Sequence, residues 1–315
     1  MEQPAAVVLL GAQRFDPSLK TALTNLRVEG RIALITAGWQ ERESEDEELV
    51  AHLGGNTVNL RLHERGEQIF ADDPELRAAH RERQDLLRHT QDFYRIRLEH
   101  LREAERVIAQ RAAPPAIHDE EGRASVEAIR ELDARHLANC SRLHADFEQK
   151  CGLATRPSVA RHRKEIAEAV AGCRAIAISG GHVASLINRL ALFDIGPLAG
   201  RKVVFAWSGG AMAVSDRVVL FHDDPPQGPG VSEILDAGLG LVPGAVVLPQ
   251  PEQRLQLGDK ARVRRMVNRF LPARCLALPS RSRVTWRKGR FSSAEGVLEL
   301  RSDGENRPFD PRSAS

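Results

Sequence analysis

Residues 202–213 read KVVFAWSGGAMA, and this stretch decides the fold. Its apolar first half is typical of a buried strand, and the small residues that follow permit a sharp turn into a helix. A strand that runs through Ser-Gly-Gly into a helix has the geometry of a nucleophile elbow, which exposes the serine hydroxyl at the carboxyl end of a sheet. The general pattern is G-x-S-x-G, with Ala206 in place of the first glycine. Ser208 is therefore a candidate nucleophile, although a glycine-rich turn without catalytic use has the same pattern.

Other short apolar runs alternate with helical segments in the same way. Residues 6–10, 31–37 and 57–62 form three such runs near the start of the chain, and residues 175–178 form another in its second half. Short apolar strands separated by helices predict a mostly parallel sheet that is covered by helices on both faces. We therefore predict an α/β fold, a three-layer sandwich with a mostly parallel sheet.

Weaker patterns predict the remaining elements of this part of the chain. An acidic helix is expected over residues 41–53, and Gly54-Gly55 mark its end. A basic helix is expected over residues 261–271, and residues 275–300 alternate enough to form a β-hairpin at the edge of the sheet. Residues after about 302 are polar and are expected to be loose.

Residues 70–172 have a different character, rich in Arg, Glu, Leu, Ala and His and poor in Gly. Apolar residues recur at three- and four-residue steps over 74–112 and again over 126–147, and Pro114-Pro115 separate the two stripes. This pattern predicts two long amphipathic helices that form a helical hairpin or coiled coil. A shorter helix over residues 159–171 then leads back to the α/β pattern.

The strand-and-helix pattern that stops near residue 69 resumes at residue 173. A sheet that begins, is interrupted by helices and then resumes indicates an insertion and not two domains in tandem. We therefore predict one α/β domain formed by residues 1–69 and 173–315, interrupted by a long α-helical hairpin insertion over residues 70–172.

The composition fits a folded chain with an aliphatic core. Of the 315 residues, 42% are hydrophobic but only 4% are aromatic, and the formal net charge is +2. The charge is uneven, since residues 251–292 carry twelve Lys or Arg against two acids. A basic surface can attract nucleic acid, but the sequence holds no nucleic-acid motif and few interleaved aromatic residues. Solvated faces of a helix and a hairpin are the simpler interpretation, and nucleic-acid binding is not expected.

The cysteines and the N-terminus favour a cytoplasmic protein. Cys140, Cys151, Cys173 and Cys275 match no zinc-ligand spacing and are too few for a disulfide scaffold, so reduced, buried thiols are expected. The apolar run at the N-terminus is too short for a signal peptide or a membrane span. The seven histidines of residues 70–172 are not gathered on one helix turn, so no metal site and no cofactor are expected.

A second strand-to-helix turn, Ser179-Gly180-Gly181, follows the strand at residues 175–178. Its backbone N–H groups, together with that of Gly209, could form an oxyanion hole. Glycine pairs at such turns also occur for steric reasons alone.

Three motifs carry a family resemblance: SGGH at 179–182, WSGGA at 207–211 and GLGLVPG at 238–244. In this order they resemble the dipeptidase E and cyanophycinase family of serine peptidases. That family belongs to the class I glutamine amidotransferase-like superfamily and uses Ser where the amidotransferases use Cys. The resemblance covers about residues 1–69 and 173–300 and leaves the helical insertion outside.

The resemblance implies a role for each matching residue. Ser208 stands at the position of the family's nucleophile, and Gly180-Gly181 stand at the turn that supplies its oxyanion hole. His182 replaces the Asn or Asp that follows this turn in the family. Asp223, with Asp224 as an alternative, suits the acid of the dipeptidase E triad.

One position departs from the family pattern. Where the family has the histidine that acts as general base, this chain has Gln250, and a glutamine amide cannot take up a proton near neutral pH. Arg254 still matches a family arginine a few residues further on. Two histidines away from the family's position are candidates for the base, His222 beside Asp223 and His182 at the oxyanion turn. Each has an ordinary surface role as the alternative.

Two functional hypotheses follow. The first is a serine-peptidase-like hydrolase of small peptide or amide substrates, in which Ser208 attacks the carbonyl and Asp223 orients the base. The second is a catalytically inactive pseudoenzyme that keeps a small-ligand pocket and whose helical insertion mediates homo-oligomerisation or partner binding. Neither hypothesis requires a cofactor, and no membrane partner is expected.

Overall fold

The computed structural model describes residues 2–222 and 231–313. It is a mixed α/β structure with a mostly parallel central sheet, as the sequence predicts, and a pair of long helices. The strands are β1 (Ala6–Leu10), β2 (Ile32–Ile35), β3 (Thr57–Asn59), β4 (Ala175–Ile178), β5 (Val203–Trp207), β6 (Arg217–Leu220), β7 (Glu233–Ala237), β8 (Ala245–Pro249), β9 (Arg274–Leu278), β10 (Arg283–Arg287), β11 (Arg290–Glu295), β12 (Leu298–Leu300) and β13 (Asn306–Pro308).

The helices include the two long ones that the periodic pattern predicts and several short ones after strands. A 3-10 helix covers Ala37–Arg42. The α-helices are α1 (Leu19–Asn25), α2 (Glu47–His52), α3 (Leu62–Asp72), α4 (Pro74–Gln110), α5 (Pro115–Cys151), α6 (Pro157–Ala171), α7 (Val183–Leu192), α8 (Ile195–Leu198), α9 (Gly209–Ala213), α10 (Pro251–Arg254) and α11 (Lys260–Phe270).

The central sheet has seven strands in the order β11-β10-β1-β5-β4-β2-β3. Strands β1, β5, β4, β2 and β3 are parallel, and the β10–β11 hairpin adds two antiparallel strands at one edge. Along β1, Val7 and Leu9 face a core shared with α3, α6 and α7, whereas Val8 and Leu10 face a core shared with α1. Helices therefore cover both faces, which explains why β1, β2 and β4 are buried along their whole length.

Two predicted elements around β3 are wrong in part. The helix expected over residues 41–53 is reduced to α2, because the chain first forms the 3-10 helix, while the two glycines after α2 have positive φ as expected. The strand expected over residues 57–62 ends at Asn59, whose side chain accepts from the Arg61 N–H and turns the chain into α3. The apolar residue Leu62 is buried as the first residue of that helix and not as part of a strand.

A second sheet has four strands in the order β13-β12-β9-β8. The hairpin predicted over residues 275–300 is therefore β10–β11 alone, since β9 pairs in parallel with β8 in the second sheet. The expectation of a loose tail after residue 302 is wrong for the residues that the structure describes. Strand β13 pairs with β12, and the Phe309 ring is buried with its centroid 5.2 Å from that of Phe291.

The long helices α4 and α5 have 37 residues each and pack against each other. A buried network joins them to α11. Arg269 donates to both carboxylate oxygens of Asp133 at 2.7 Å and to Tyr94 Oη at 2.7 Å, and Tyr94 donates to Asp133 at 2.8 Å. The hairpin is thus fixed to the α/β part by charged groups that are almost fully buried. In the described ranges, no helix is long and apolar enough to cross a membrane.

Candidate active site

Ser208 lies at a sharp backbone turn between β5 and α9. Its φ of 50° and ψ of −127° fall in a region that residues other than glycine rarely occupy, and holding such a conformation costs about 1–3 kcal/mol. The Ser208 side chain is half-buried, whereas every residue of α9 is buried. Strand, strained serine and helix have the geometry of a nucleophile elbow, as the sequence predicts.

Gly180 is in direct contact with this turn. A Cβ on Gly180 would lie 2.5 Å from Ser208 Cβ and 3.0 Å from Gly209 N, so no side chain fits at position 180. Gly181 has φ of +106°, and a Cβ there would lie 2.2 Å from the carbonyl oxygen of Gly38. The turns that follow β2, β4 and β5 are therefore interlocked by glycines at one edge of the sheet.

The interlocked turns contain backbone donors without acceptors. Within residues 2–222 and 231–313, the N–H groups of Gly180, Gly181 and Gly209 make no hydrogen bond, whereas Ser179 and His182 donate to backbone carbonyls at 2.9 Å and 2.7 Å. Gly180 and Gly209 are buried, where backbone N–H groups are almost always paired, whereas Gly181 is exposed. Free donors beside a half-buried serine hydroxyl are suited to an oxyanion that forms there during a reaction.

His182 precedes α7, and its ring is oriented by Ser185. Its Nδ1 accepts from the Ser185 N–H at 3.2 Å and lies 2.9 Å from Ser185 Oγ. Gln40 Nε2 donates to that same Oγ at 2.8 Å, so the Ser185 hydroxyl is left to donate to His182 Nδ1. A neutral imidazole that accepts at Nδ1 carries its proton on Nε2. The free nitrogen of His182 is therefore a donor and not a base.

Gln40 is a part of this edge that the sequence analysis does not single out. Its φ of 56° and ψ of −126° nearly equal those of Ser208. Gln40 follows β2, which is adjacent and parallel to β4, so the residues after the two strands meet. The signal that could have identified Gln40 is its place a few residues after a strand, but only the order of strands in the sheet says which strand ends lie together.

The other predicted pocket residues follow β6 and β8. His222 is exposed and comes directly after Phe221, and the guanidinium of Arg254 lies 6.0 Å from the centroid of the Phe221 ring. Burial lowers the pKa of Arg254. Gln250 is half-buried and precedes α10 in a left-handed conformation, with φ of 55° and ψ of 49°. Arg254 therefore lies near the end of the segment that carries His222.

The hydroxyl of Ser208 has no hydrogen-bonded base among the described residues. In that part of the chain, no hydrogen bond joins the Ser208 hydroxyl to any of the predicted pocket residues His182, His222, Gln250 and Arg254. Asp223 and Asp224, the predicted triad acids, lie outside the described residues.

In the described part of the chain, no group of three His, Cys, Asp or Glu side chains could hold a metal ion. All four cysteines are free and buried. Burial raises the pKa of Cys140 and of Cys275 to about 12, which keeps both thiols protonated and unreactive near neutral pH.

Several cations of the basic segment at residues 251–292 form ion pairs. Arg274 pairs with Glu299 at 2.6 Å, and both side chains are buried, as are those of the Arg269–Asp133 pair. Pairs nearer the surface join Arg283 to Glu295 and Lys260 to Glu305. The expectation that these cations are simply solvated is therefore wrong for the buried members.

No family model matches the sequence, and no curated protein matches it either.

Proposed function

We propose that the protein is a serine hydrolase of small peptide or amide substrates, with Ser208 as nucleophile in an α/β domain of the class I glutamine amidotransferase-like type. The observation that carries the proposal is the strained Ser208 backbone pressed against Gly180. Beside it lie N–H groups that have no acceptor in the described part of the chain. A serine with a purely structural role needs neither a strained backbone nor free donors.

The chemistry assigns each group one task. Ser208 Oγ attacks the carbonyl carbon, and the carbonyl oxygen becomes an oxyanion that accepts from the Gly180 and Gly181 N–H groups. The Ser208 proton passes to a base and then to the leaving amine, which gives an acyl-serine that water hydrolyses.

One imidazole acts as a hydrogen-bond donor and another acts as the base. His182 is the donor, because its Nδ1 is occupied by Ser185. His222 is the base, because its ring nitrogens make no hydrogen bond to any described residue and Asp223 follows it directly in the chain. This pairing replaces the histidine that the resemblance places at Gln250.

The proposal is tested with a panel of aminoacyl and dipeptidyl p-nitroanilides. We expect Ser208→Ala to abolish hydrolysis and His222→Gln to lower kcat by about 10²–10⁴-fold, the range for loss of a general base. His118→Gln, on the exposed start of α5, is the matched control and should leave kcat unchanged. Hydrolysis that survives in Ser208→Ala, or a wild-type protein inert toward the whole panel, would contradict the proposal.

A second candidate function is self-association through the helical pair. Leu86, Phe93 and Val107 of α4 are separated by multiples of seven residues, and they are 45%, 63% and 48% exposed. An exposed apolar stripe with heptad spacing is suited to packing against another helix, and we propose a second copy of the chain as the partner, because homodimers are the commonest assemblies.

Light scattering over a range of concentrations tests this second function. We expect a dimer for the wild type and a monomer for Phe93→Ser, while Arg88→Ser, on a different exposed face of the same helix, stays dimeric. A wild type that is monomeric at every concentration would exclude this use of α4.

A further inference from the structure

A cavity of about 160 Å³ lies between the helical pair and the α/β part of the protein. It reaches Ala213, at the end of α9 opposite Ser208, and Ser208 is not among the residues that line it. A protein cavity of about 150 Å³ can hold a benzene molecule, so this cavity has room for one small organic molecule. Much of its wall is apolar and is formed by Phe147, Leu153, Ile187, Leu190, Leu192 and Leu239.

Arg83 of α4 lines this cavity as a buried cation. The residue is 7% exposed, and it forms no ion pair with any carboxylate of the described residues. Its Nη2 donates to Asn188 Oδ1 at 3.1 Å, its guanidinium lies 4.1 Å from the centroid of the Phe147 ring, and its Nε is buried without a partner. A buried charge is normally paired, because desolvation without compensation is costly.

Neither carboxylate of the cavity forms an ion pair with Arg83. Asp236 Oδ2 lies 2.7 Å from His144 Nε2, and Asp236 Oδ1 accepts from the Ala237 N–H at 2.8 Å. Glu148 is exposed at the rim. Burial accordingly lowers the pKa of Arg83 to about 10, an effect that Asp236 only partly offsets. Arg83 therefore has carboxylates in its vicinity but forms an ion pair with neither of them.

We propose that this cavity binds a small carboxylate with a short apolar chain. The planar guanidinium of Arg83 offers two parallel N–H donors, which match the two oxygens of a carboxylate. The hydrocarbon chain packs against the apolar wall at Leu190 and Leu239. A phosphate dianion is a poorer ligand, because Asp236 and Glu148 line the same cavity and repel a second negative charge. The proposal does not depend on Ser208 chemistry.

Isothermal titration of the full-length protein with butyrate and hexanoate tests the site, with butylamine and inorganic phosphate as comparison probes. We expect saturable binding of a carboxylate and none of butylamine or phosphate. Arg83→Met should weaken carboxylate binding by about tenfold or more, since it removes a charge-assisted hydrogen-bond pair. Arg81→Met, on the exposed face two residues away, is the matched control and should bind as the wild type does.

A stability measurement separates a ligand site from a structural arginine. Arg83→Met removes a buried charge that has no counter-ion, so it should unfold at the same temperature as the wild type or higher, and butyrate should raise the unfolding temperature of the wild type only. If this variant does not fold, Leu239→Trp, at a half-buried position of the wall, fills the cavity with Arg83 retained and should also abolish binding. No saturable binding of either carboxylate, equal binding by Arg83→Met, or phosphate binding as tight as butyrate binding would overturn the proposal.

Discussion

Gly180 lies so close to Ser208 that a Cβ at position 180 would stand 2.5 Å from Ser208 Cβ. The two residues follow adjacent parallel strands, β4 and β5, and their contact fixes the serine turn against the turn that carries free N–H donors. The backbone strain at Ser208 and the absence of a side chain at Gly180 therefore both belong to the contact between these two turns.

This contact predicts that Gly180→Ala damages both stability and activity. The added methyl group must displace Ser208 or the Gly209 N–H, which we expect to cost about 1–3 kcal/mol in the free energy of unfolding and to reduce p-nitroanilide hydrolysis sharply. Gly122→Ala is the matched control, since nothing lies within 4 Å of a Cβ there. Inside α5 this change should stabilise the protein by about 1 kcal/mol. Unfolding in denaturant measures both changes in stability. A Gly180→Ala variant that is as stable as the wild type would show that the turn adapts freely.

The strain at Ser208 predicts that Ser208→Gly is more stable than Ser208→Ala. Glycine adopts φ of 50° without a steric penalty, whereas alanine keeps the strain and loses only the hydroxyl. We expect a difference of about 1 kcal/mol between the two variants, both without hydrolytic activity. Thermal unfolding of the pair provides the measurement. Equal stabilities would mean that the backbone relaxes in the alanine variant.

Arg269, Asp133 and Tyr94 form a buried network. We therefore expect the loss of one charged partner to lower the stability of the protein strongly. Asp133→Leu leaves the Arg269 charge buried and unpaired, which should cost about 3–5 kcal/mol. Replacing both partners, as in Asp133→Leu with Arg269→Met, should cost much less than the sum of the two single changes. Chemical unfolding of the four proteins completes the cycle. Additive effects would contradict the assigned pairing.

The Asp73–Arg156 ion pair predicts a pH-dependent contribution to stability. The Arg156 guanidinium holds the pKa of the Asp73 carboxyl well below its usual range, aided by the Leu76 N–H and Ser158. A carboxyl with a lowered native pKa contributes stability that is present above its unfolded pKa, about 4, and is lost as the pH falls toward the native value. Asp73→Asn keeps the helix cap but loses the charge.

We expect the free energy of unfolding of the wild type to exceed that of Asp73→Asn by about 1 kcal/mol at pH 7. This difference should shrink progressively below about pH 4. Unfolding in urea at a series of pH values measures it. A difference that stays constant down to pH 2 would show that the ion pair does not titrate as described.

Local patterns in the sequence were sufficient to predict the elements whose identity depends on their own residues. The elbow at Ser208, the strand before Gly180 and the two long helices all have periodicities that tertiary context does not alter. The tail was mispredicted because one aromatic residue, Phe309, buries a segment that is polar by composition.

Features that depend on which strands and helices are neighbours could not be predicted. Gln40 joins the site only because β2 lies beside β4, and no pattern within residues 31–42 states that order. Arg83 is one of many arginines on α4, and its burial follows from the contact of that face with Asn188 of α7. The identity of the base for Ser208 could not be predicted for the same reason, because it depends on how β6 and β8 are arranged around the serine.

The most direct test of the central claim is labelling with a serine-reactive fluorophosphonate, followed by peptide mapping, in the wild type, Ser208→Ala and the control Ser125→Ala on α5. An activated hydroxyl reacts far faster than ordinary serines because a base removes its proton. We predict a single labelled residue, Ser208, in the wild type and in Ser125→Ala, and no labelled peptide in Ser208→Ala. Absence of labelling in the wild type, beside a reactive control hydrolase, would contradict the hydrolase proposal and favour a protein whose function lies in its helical pair.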